Sequence, residues 1–502
     1  MNFMLNRVHA SRTRFHTQNA FGLTLPRISI YLDYQIFAPG QASSRGIDNL
    51  CYILENNITP FNISLVWTFD DKLNEGLVKH EFQNLIKKFP RYSCILENEN
   101  SIYLRWKYVP NFDVSENIEV HTLPTGTPTE FYECATKCVS VRLDNSRPLW
   151  RAYIINGLNF ENKGEENEND KTTKKQRSAL ILISHHLIAD GQGAMHAIMT
   201  LTSDGQKQLE ETIQYFKERI KKSEKNVQEQ VSTIIPGFTK INLIANKLPD
   251  FLFSSYLILL KVILFIWSFV IGIYEMTYAQ IRMLNSYSKK KNFNLECDEN
   301  HPTTLWWSNE IPFSEISIAR KAYGVSFNDV MVAIVTRAVR SYLIELKQQE
   351  PLESEFVYFM PISMRTSTDF ECNNVASGNI AFSPLSDNLS TKSLMEKVNL
   401  ETSRIKRNWY PILMYLAFEY VIPAGLLNRT LLHNLTKCYH AVVTNVPGPI
   451  KPITFAGQQV KRFIGMPPQA SPGGLAIGVI SYDSKVSVSI MTHKVEKYPK
   501  DL

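Results

Sequence analysis

Apolar residues recur along this chain in two rhythms, and each predicts a different kind of element. From Ile63 to Phe69 apolar and β-branched residues run as a strand, whereas Leu77, Val78, Phe82, Leu85 and Ile86 fall at helical spacing and predict an amphipathic helix that Pro90 ends. Tyr92–Leu96 and Ile102–Tyr108 read as two more strands, so the chain opens β-α-β-β, with ordered structure expected from Ile28 onward. Residues 150–156 and 178–184 read as a further strand pair. Between them Glu161 to Arg177 is dense in charges of both signs, the composition of an exposed loop that decorates a hairpin without entering its core. After the second strand, Ala194, Ala197, Ile198 and Leu201 return to helical spacing.

In the polar stretch 206–230, Leu209, Ile213, Phe216 and Ile220 make the stripe of one surface helix. The pattern then changes abruptly. Phe251 to Tyr274 carries a single charge, Lys261, and is long enough to cross a bilayer as a helix, which takes about 20 residues. A crossing would put residues 186 and 445–449 on opposite faces of the membrane, and Lys261 near the middle of the segment with lysines on both flanks gives no strong charge bias for one. A helix lying in or dipping into one leaflet is therefore expected over a true span. A second set of elements opens near Thr303: strand Leu305–Ile311, helix Val330–Leu346, strand Phe356–Phe359, a strand from Ala441, and the hairpin Leu475–Tyr482 with Lys485–Met491. The expected division is a basic tail (1–27), an N-terminal α/β unit (28–205), a linker with the surface helix and hydrophobic segment (206–302), and a C-terminal α/β unit (303–502).

Length supports two units, because one core rarely grows beyond roughly 250–300 residues. With 44% hydrophobic and 20% charged residues the chain is not a disordered protein. Its net charge of +6 is scattered, and no basic helix interleaved with aromatics argues for nucleic acid as a partner. Cys51, Cys94, Cys134, Cys138, Cys297, Cys372 and Cys438 are odd in number and lack zinc-ligand spacing, so free thiols and no metal are expected. Met1 to Leu5 is too short for a secretory apolar region, and the first acidic residue is Asp33, which suits a basic tail.

The candidate chemistry lies at Ser184-His185-His186-Leu187-Ile188-Ala189-Asp190-Gly191, where a predicted strand gives way to a predicted helix. A histidine there can stand beside free backbone N–H groups, and a carboxylate four residues on can return to orient the ring, an arrangement suited to general base catalysis. Adjacent histidines at a strand end also occur simply as polar residues leaving a core. The longer pattern His185-His186-xxx-Asp190-Gly191 resembles the HHxxxDG signature of CoA-dependent acyltransferases. Further segments resemble one branch of that superfamily, the wax ester synthase/acyl-CoA:diacylglycerol acyltransferase family: Pro148-Leu149-Trp150, Asn328-Asp329, Pro361-Ile362-Ser363-Met364-Arg365, Gly378-Asn379, Pro384-Leu385 and Asn445-Val446-Pro447-Gly448-Pro449.

The resemblance implies an α/β sandwich fold with two chloramphenicol acetyltransferase-like domains, a membrane-associated helix between them, and the histidine at their interface. His186 is expected to be the base and His185 to shape the site; Asp190 is expected to bridge to Arg365 from the other half. Gly191 would let the backbone turn without a Cβ. Asn328 and Asp329 also form a helix capping box with Ser326, and Asn445, Pro447 and Gly448 a rigid turn after a strand, so both sets are expected to support the site. Trp150 is expected to be a packing residue. Relatives commonly continue past the last hairpin, so a short C-terminal element is expected. The implied activity is fatty acyl transfer from acyl-CoA to a long-chain alcohol or diacylglycerol at an endoplasmic reticulum or lipid-droplet membrane, with no cofactor beyond acyl-CoA as co-substrate. The alternatives are a catalytically silent lipid- or membrane-binding relative and an enzyme for polar acceptors. The DFGWG segment of the plant enzymes that use polar acceptors is absent.

Overall fold

The computed structural model describes residues 12–14, 29–31, 42–43, 46–56, 58–97, 104–159, 177–205, 207–211, 214, 250–288, 303–345, 355–365, 373–386, 389–406, 409–421, 429–469 and 474–493. The charged insertion up to 176, nearly all of the surface helix expected in 206–230, Cys297 and Cys372 lie outside the described residues, as do the side chains of 250–262.

The first half contains α1 (Gly46–Leu54), β1 (Asn62–Phe69), α2 (Glu75–Lys88), β2 (Cys94–Glu97), β3 (Arg105–Tyr108), β4 (Ile118–Thr122), α3 (Pro128–Val139), β5 (Trp150–Leu158), β6 (Arg177–His185) and α4 (Gly191–Met199). After the long helix α5 (Asp250–Ser288) come β7 (Thr303–Trp307), β8 (Ile311–Pro312), α6 (Phe313–Tyr323), α7 (Phe327–Glu345), β9 (Glu355–Ser363), β10 (Ala376–Pro384), α8 (Thr391–Lys406), α9 (Tyr410–Leu416) and α10 (Arg429–Thr436). The chain closes with β11 (Ala441–Pro447), β12 (Arg462–Met466), β13 (Leu475–Tyr482) and β14 (Lys485–His493). Two sequence expectations shift. Tyr92 sits in a 3₁₀ turn, Pro90–Ser93, and the strand expected over 305–311 breaks at Ser308, whose N–H still donates to the Val488 carbonyl at 2.8 Å.

β5 and β6 are buried on both faces, which is why they read as unbroken apolar runs. They pair antiparallel, Trp150 opposite Ser184, and β6 pairs in turn with β1, Asn62 opposite His185. Trp150 is the packing residue expected: it stacks on Phe82 at 4.9 Å and its indole N–H donates to the Tyr92 carbonyl at 2.8 Å.

The sheet of the first half runs β12-β1-β6-β5-β4, so its edge strand comes from near the C-terminus, with Phe463 opposite Trp67. The sheet of the second half runs β7-β14-β13-β11-β9-β10, with β8 also on β14. A division at 303 therefore does not separate the packing. The first core takes in Trp307, Trp409, Tyr415, Phe455, Phe463 and Ile480, while the second takes in Ala279 and Met283 of α5.

The expected linker is thus partly a structural member. Arg282 pairs with Glu355 and lies 4.0 Å over the Phe382 ring, Arg404 of α8 pairs with Glu275, and the Trp409 indole donates to Ser268 at 3.1 Å. On the other side of α5, Ile263, Ile266, Trp267, Val270, Ile273 and Tyr274 are exposed. Among the described residues no helix is long and apolar enough to cross a membrane.

Candidate active site

β6 ends at His185, a turn carries His186, and α4 begins at Gly191 with Asp190 as its N-cap, accepting from Gly193 N–H at 2.8 Å. The Asp190 carboxylate also accepts from Arg365 Nη2 at 3.0 Å and Val375 N–H at 2.7 Å. It is therefore committed to three donors, two of them from the second half, and is not placed as a base. Burial alone would raise its pKa; the Arg365 charge and the backbone donors outweigh that and hold it below the ordinary carboxylate value. The expected bridge between Asp190 and Arg365 is present.

The segment 373–375 clamps the motif. Asp190 N–H donates to the Asn373 carbonyl at 3.2 Å, and the Asn374 amide reaches Asp48 Oδ1 at 2.8 Å, the His186 carbonyl at 3.0 Å and the Leu187 carbonyl at 3.2 Å. Gly191 corrects an expectation. Its φ is not positive, and a Cβ there would meet only Val446 Cγ2 at 3.2 Å. The glycine that close approach requires is Gly193, where a Cβ would sit 2.6 Å from Arg365 Nη2 and 2.7 Å from the Asn373 carbonyl.

His186 is half-buried on the wall of a cavity of ≈ 300 Å³ whose lining comes from both halves, including Leu50, Phe61, Met195, Phe359, Tyr439 and Val446. Its Nδ1 lies 3.4 Å from Cys51 Sγ, its ring is 5.5 Å from that of Phe61, and its backbone N–H donates to the Phe61 carbonyl at 2.8 Å. Burial lowers its pKa below the usual histidine value, Asp190 opposing and His185 adding to the shift, so at physiological pH the ring is in the neutral form that can accept a proton. Burial pushes the Cys51 thiol well up, with Asp48 and Asp190 adding to it.

His185 is buried. Its Nδ1 accepts from Leu187 N–H at 3.0 Å, which places the ring proton on Nε2, 3.5 Å from Glu55 Oε1. Asp48, Cys51 and Glu55 stand at i, i+3 and i+7 on α1 and just past its end, one face directed at the motif. Sequence reasoning missed these three and Asn374. The stretch Ile47–Leu54 is too short to stand out beside the strands, and Glu55 lies just past it.

The other expected residues fall outside the reacting centre. Asn445 lines the cavity, whereas Gly448 N–H donates to the Ser481 carbonyl at 3.0 Å and Asp483 N–H to the Pro449 carbonyl at 3.1 Å, so the turn after Pro447 braces the last hairpin. Ser326 and Asp329 exchange the two hydrogen bonds of a capping box, at 2.8 and 3.2 Å, and Asp329 accepts from Thr402 of α8 at 2.6 Å. Asn328 contacts Met360 Sδ at 3.8 Å, and neither Asn328 nor Asp329 lines the cavity.

The family model for the wax ester synthase/diacylglycerol acyltransferase catalytic domain matches residues 46–248, and that for the WS/DGAT C-terminal domain matches 380–499. A probable diacylglycerol O-acyltransferase of Mycobacterium tuberculosis is 22% identical over 395 residues, covering 75% of this chain and 76% of that one. Wax ester synthase/diacylglycerol acyltransferase 8 of Arabidopsis thaliana is 21% identical over 469 residues, covering 84% and 86%. Among solved structures, the wax ester synthase/diacylglycerol acyltransferase of Marinobacter aquaeolei aligns with a TM-score of 0.50 at 16% identity, over 90% of this chain and 93% of that one. A starter condensation domain of rhizomide synthetase, in complex with C8-CoA and Leu-SNAC, aligns with a TM-score of 0.51 at 10% identity, over 94% and 93%. Matched in both halves, the chain belongs to the wax ester synthase/diacylglycerol acyltransferase family and is an acyltransferase.

Proposed function

We propose that the chain transfers a fatty acyl group from acyl-CoA to a long-chain alcohol, diacylglycerol or both, with His186 as general base and no cofactor beyond the acyl-CoA co-substrate. The observation that carries this reading is a histidine on the wall of a largely apolar cavity lined by both halves, while Asp190 is engaged elsewhere. With Nδ1 against Cys51, Nε2 is the nitrogen left to take the hydroxyl proton as the alcohol oxygen attacks the thioester carbonyl. The tetrahedral intermediate then collapses with cleavage of the C–S bond, and the imidazolium returns its proton to the CoA thiolate. No acyl-enzyme is required. The C8-CoA bound by the condensation domain supports acyl-CoA as donor, and the names of the relatives support a lipid alcohol as acceptor.

The test uses the full chain in detergent micelles with labelled acyl-CoA and either hexadecanol or diacylglycerol. His186→Ala is expected to lower turnover by at least about a hundredfold, and His185→Ala by less. Equal turnover of wild type and His186→Ala overturns the assignment. The products name the acceptor.

The exposed apolar stripe of α5 supports attachment to one membrane leaflet, and we read an endoplasmic reticulum or lipid-droplet surface as the place of action. Replacing Trp267 and Ile273 by Glu is expected to abolish co-flotation with phosphatidylcholine vesicles. Unchanged flotation argues against the attachment.

A further inference from the structure

Glu55 is a buried carboxylate that the chemistry above does not use. Its side chain and that of His185 are each 2% exposed, and Oε1 stands 3.5 Å from His185 Nε2. Taking a carboxylate out of water is costly, so a position that needed only filling would be served by an apolar side chain. His185 in turn fixes the backbone on both sides of its neighbour. Its Nδ1 accepts from Leu187 N–H at 3.0 Å, its carbonyl accepts from Ile188 N–H at 2.9 Å, and its own N–H donates to the Leu149 carbonyl at 2.9 Å. A rotation of the His185 ring releases the Leu187 N–H and with it the turn that carries His186.

The carboxylate is itself held. Arg142 Nε lies 3.3 Å from Glu55 Oε2, and the end of α1 is capped by α10, where Arg429 Nη2 donates to the Glu55 carbonyl at 3.0 Å and His433 Nε2 lies 3.2 Å from the Ile53 carbonyl. Among the described residues the seam also holds Asp48, paired with Arg91 at 3.1 Å, Cys51 on α1 and Asp190 before α4. Burial would raise the Glu55 pKa; the nearby His185 ring, and then Arg142, outweigh burial and leave it below the ordinary value.

We infer that Glu55 is a positioning residue for acyl transfer: acting through the His185 ring, it holds the turn that aims His186 into the cavity. The inference rests on the reading of His186 as the base. Because misplacing a reacting group by about 1 Å can cost on the order of a hundredfold, the effect belongs in kcat and leaves the binding of acyl-CoA alone.

The experiment compares wild type, Glu55→Gln, His185→Gln, the double variant and His186→Ala as full-length protein, by steady-state kinetics and thermal melting. Glu55→Gln is nearly isosteric and is expected to melt close to the parent, to lower kcat by about threefold to tenfold, and to leave KM for acyl-CoA within about twofold. Added to His185→Gln it is expected to cost no more than about a further twofold, since a residue acting through His185 has nothing left to act on. Wild-type kcat in Glu55→Gln, a rise in KM at unchanged kcat, or multiplying losses in the double variant each overturn the inference. If His186→Ala retains wild-type turnover, the base assignment itself fails; if it is inactive while the Glu55 variants behave as wild type, only the role of Glu55 falls.

Discussion

Replacing Asp190 by Ala separates a residue that holds the site from one that does the chemistry. The substitution removes an acceptor for Arg365 Nη2, Gly193 N–H and Val375 N–H at 3.0, 2.8 and 2.7 Å, in a place where the Arg365 and Asp190 side chains are 2% and 4% exposed. Removing the carboxylate from a buried guanidinium that keeps the Asn373 carbonyl as an acceptor costs about 3 kcal/mol, the low end for breaking a buried pair, and losing an N-cap about 1 kcal/mol. The two losses share atoms, so a total of about 4 kcal/mol is expected, a large part of the roughly 5–15 kcal/mol that holds a typical domain together. At about 2–4 °C per kcal/mol for a unit of this size, the melting midpoint should fall by about 8–16 °C. His186→Ala, by contrast, should leave the midpoint nearly unchanged while abolishing turnover. The assay is melting followed by intrinsic fluorescence, with turnover measured well below both midpoints. Adding Arg365→Met to Asp190→Ala should recover part of the loss, because a buried cation no longer faces the site without its carboxylate. An Asp190→Ala protein that melts within about 2 °C of wild type would refute the reasoning.

Three further outcomes are expected. Since the His186 pKa is lowered, the base is neutral from below pH 6.5 upward, so kcat/KM should rise through an acid limb with its midpoint below pH 6.5 and be flat at neutrality; a midpoint above 6.5 contradicts the burial argument. His196, buried on α4, is pulled down to about 4 by burial and by Arg365, with Asp190 opposing. The unfolded chain therefore takes up the proton first, and stability should fall by about 3 kcal/mol between pH 7 and pH 4; His196→Asn should flatten that slope in urea unfolding at each pH. Gly193→Ala should destabilise by about 1–3 kcal/mol, as its Cβ meets Arg365 and Asn373, and Gly191→Ala by less; equal midpoints for the two variants would contradict the packing described.

The elements were legible wherever one periodicity persisted. β5 and β6 could be read because strands buried on both faces leave unbroken apolar runs, and α2 because its stripe ends at a proline. The motif was legible as chemistry because His185, His186 and Asp190 are contiguous with the strand-to-helix change that orients them. What could not be read were partners chosen by the tertiary fold. Glu55 and Asn374 lie 130 residues before and 188 after the histidines they serve, with no local pattern to announce them. Gly191 was credited with a role that belongs to Gly193, since only the approach of Arg365 reveals which glycine lacks room.

The pairing of β12 with β1 bears on how the chain is made. Synthesis proceeds at about 5–20 residues per second, so β1 leaves the ribosome on the order of tens of seconds before the strand that covers its open edge. During that interval Leu65, Val66 and Trp67 belong to an uncovered sheet edge, the kind of surface that recruits other chains. A nascent chain arrested before Arg462 should therefore depend on chaperones and aggregate when they are depleted, even though every residue of the His-His motif has already been built.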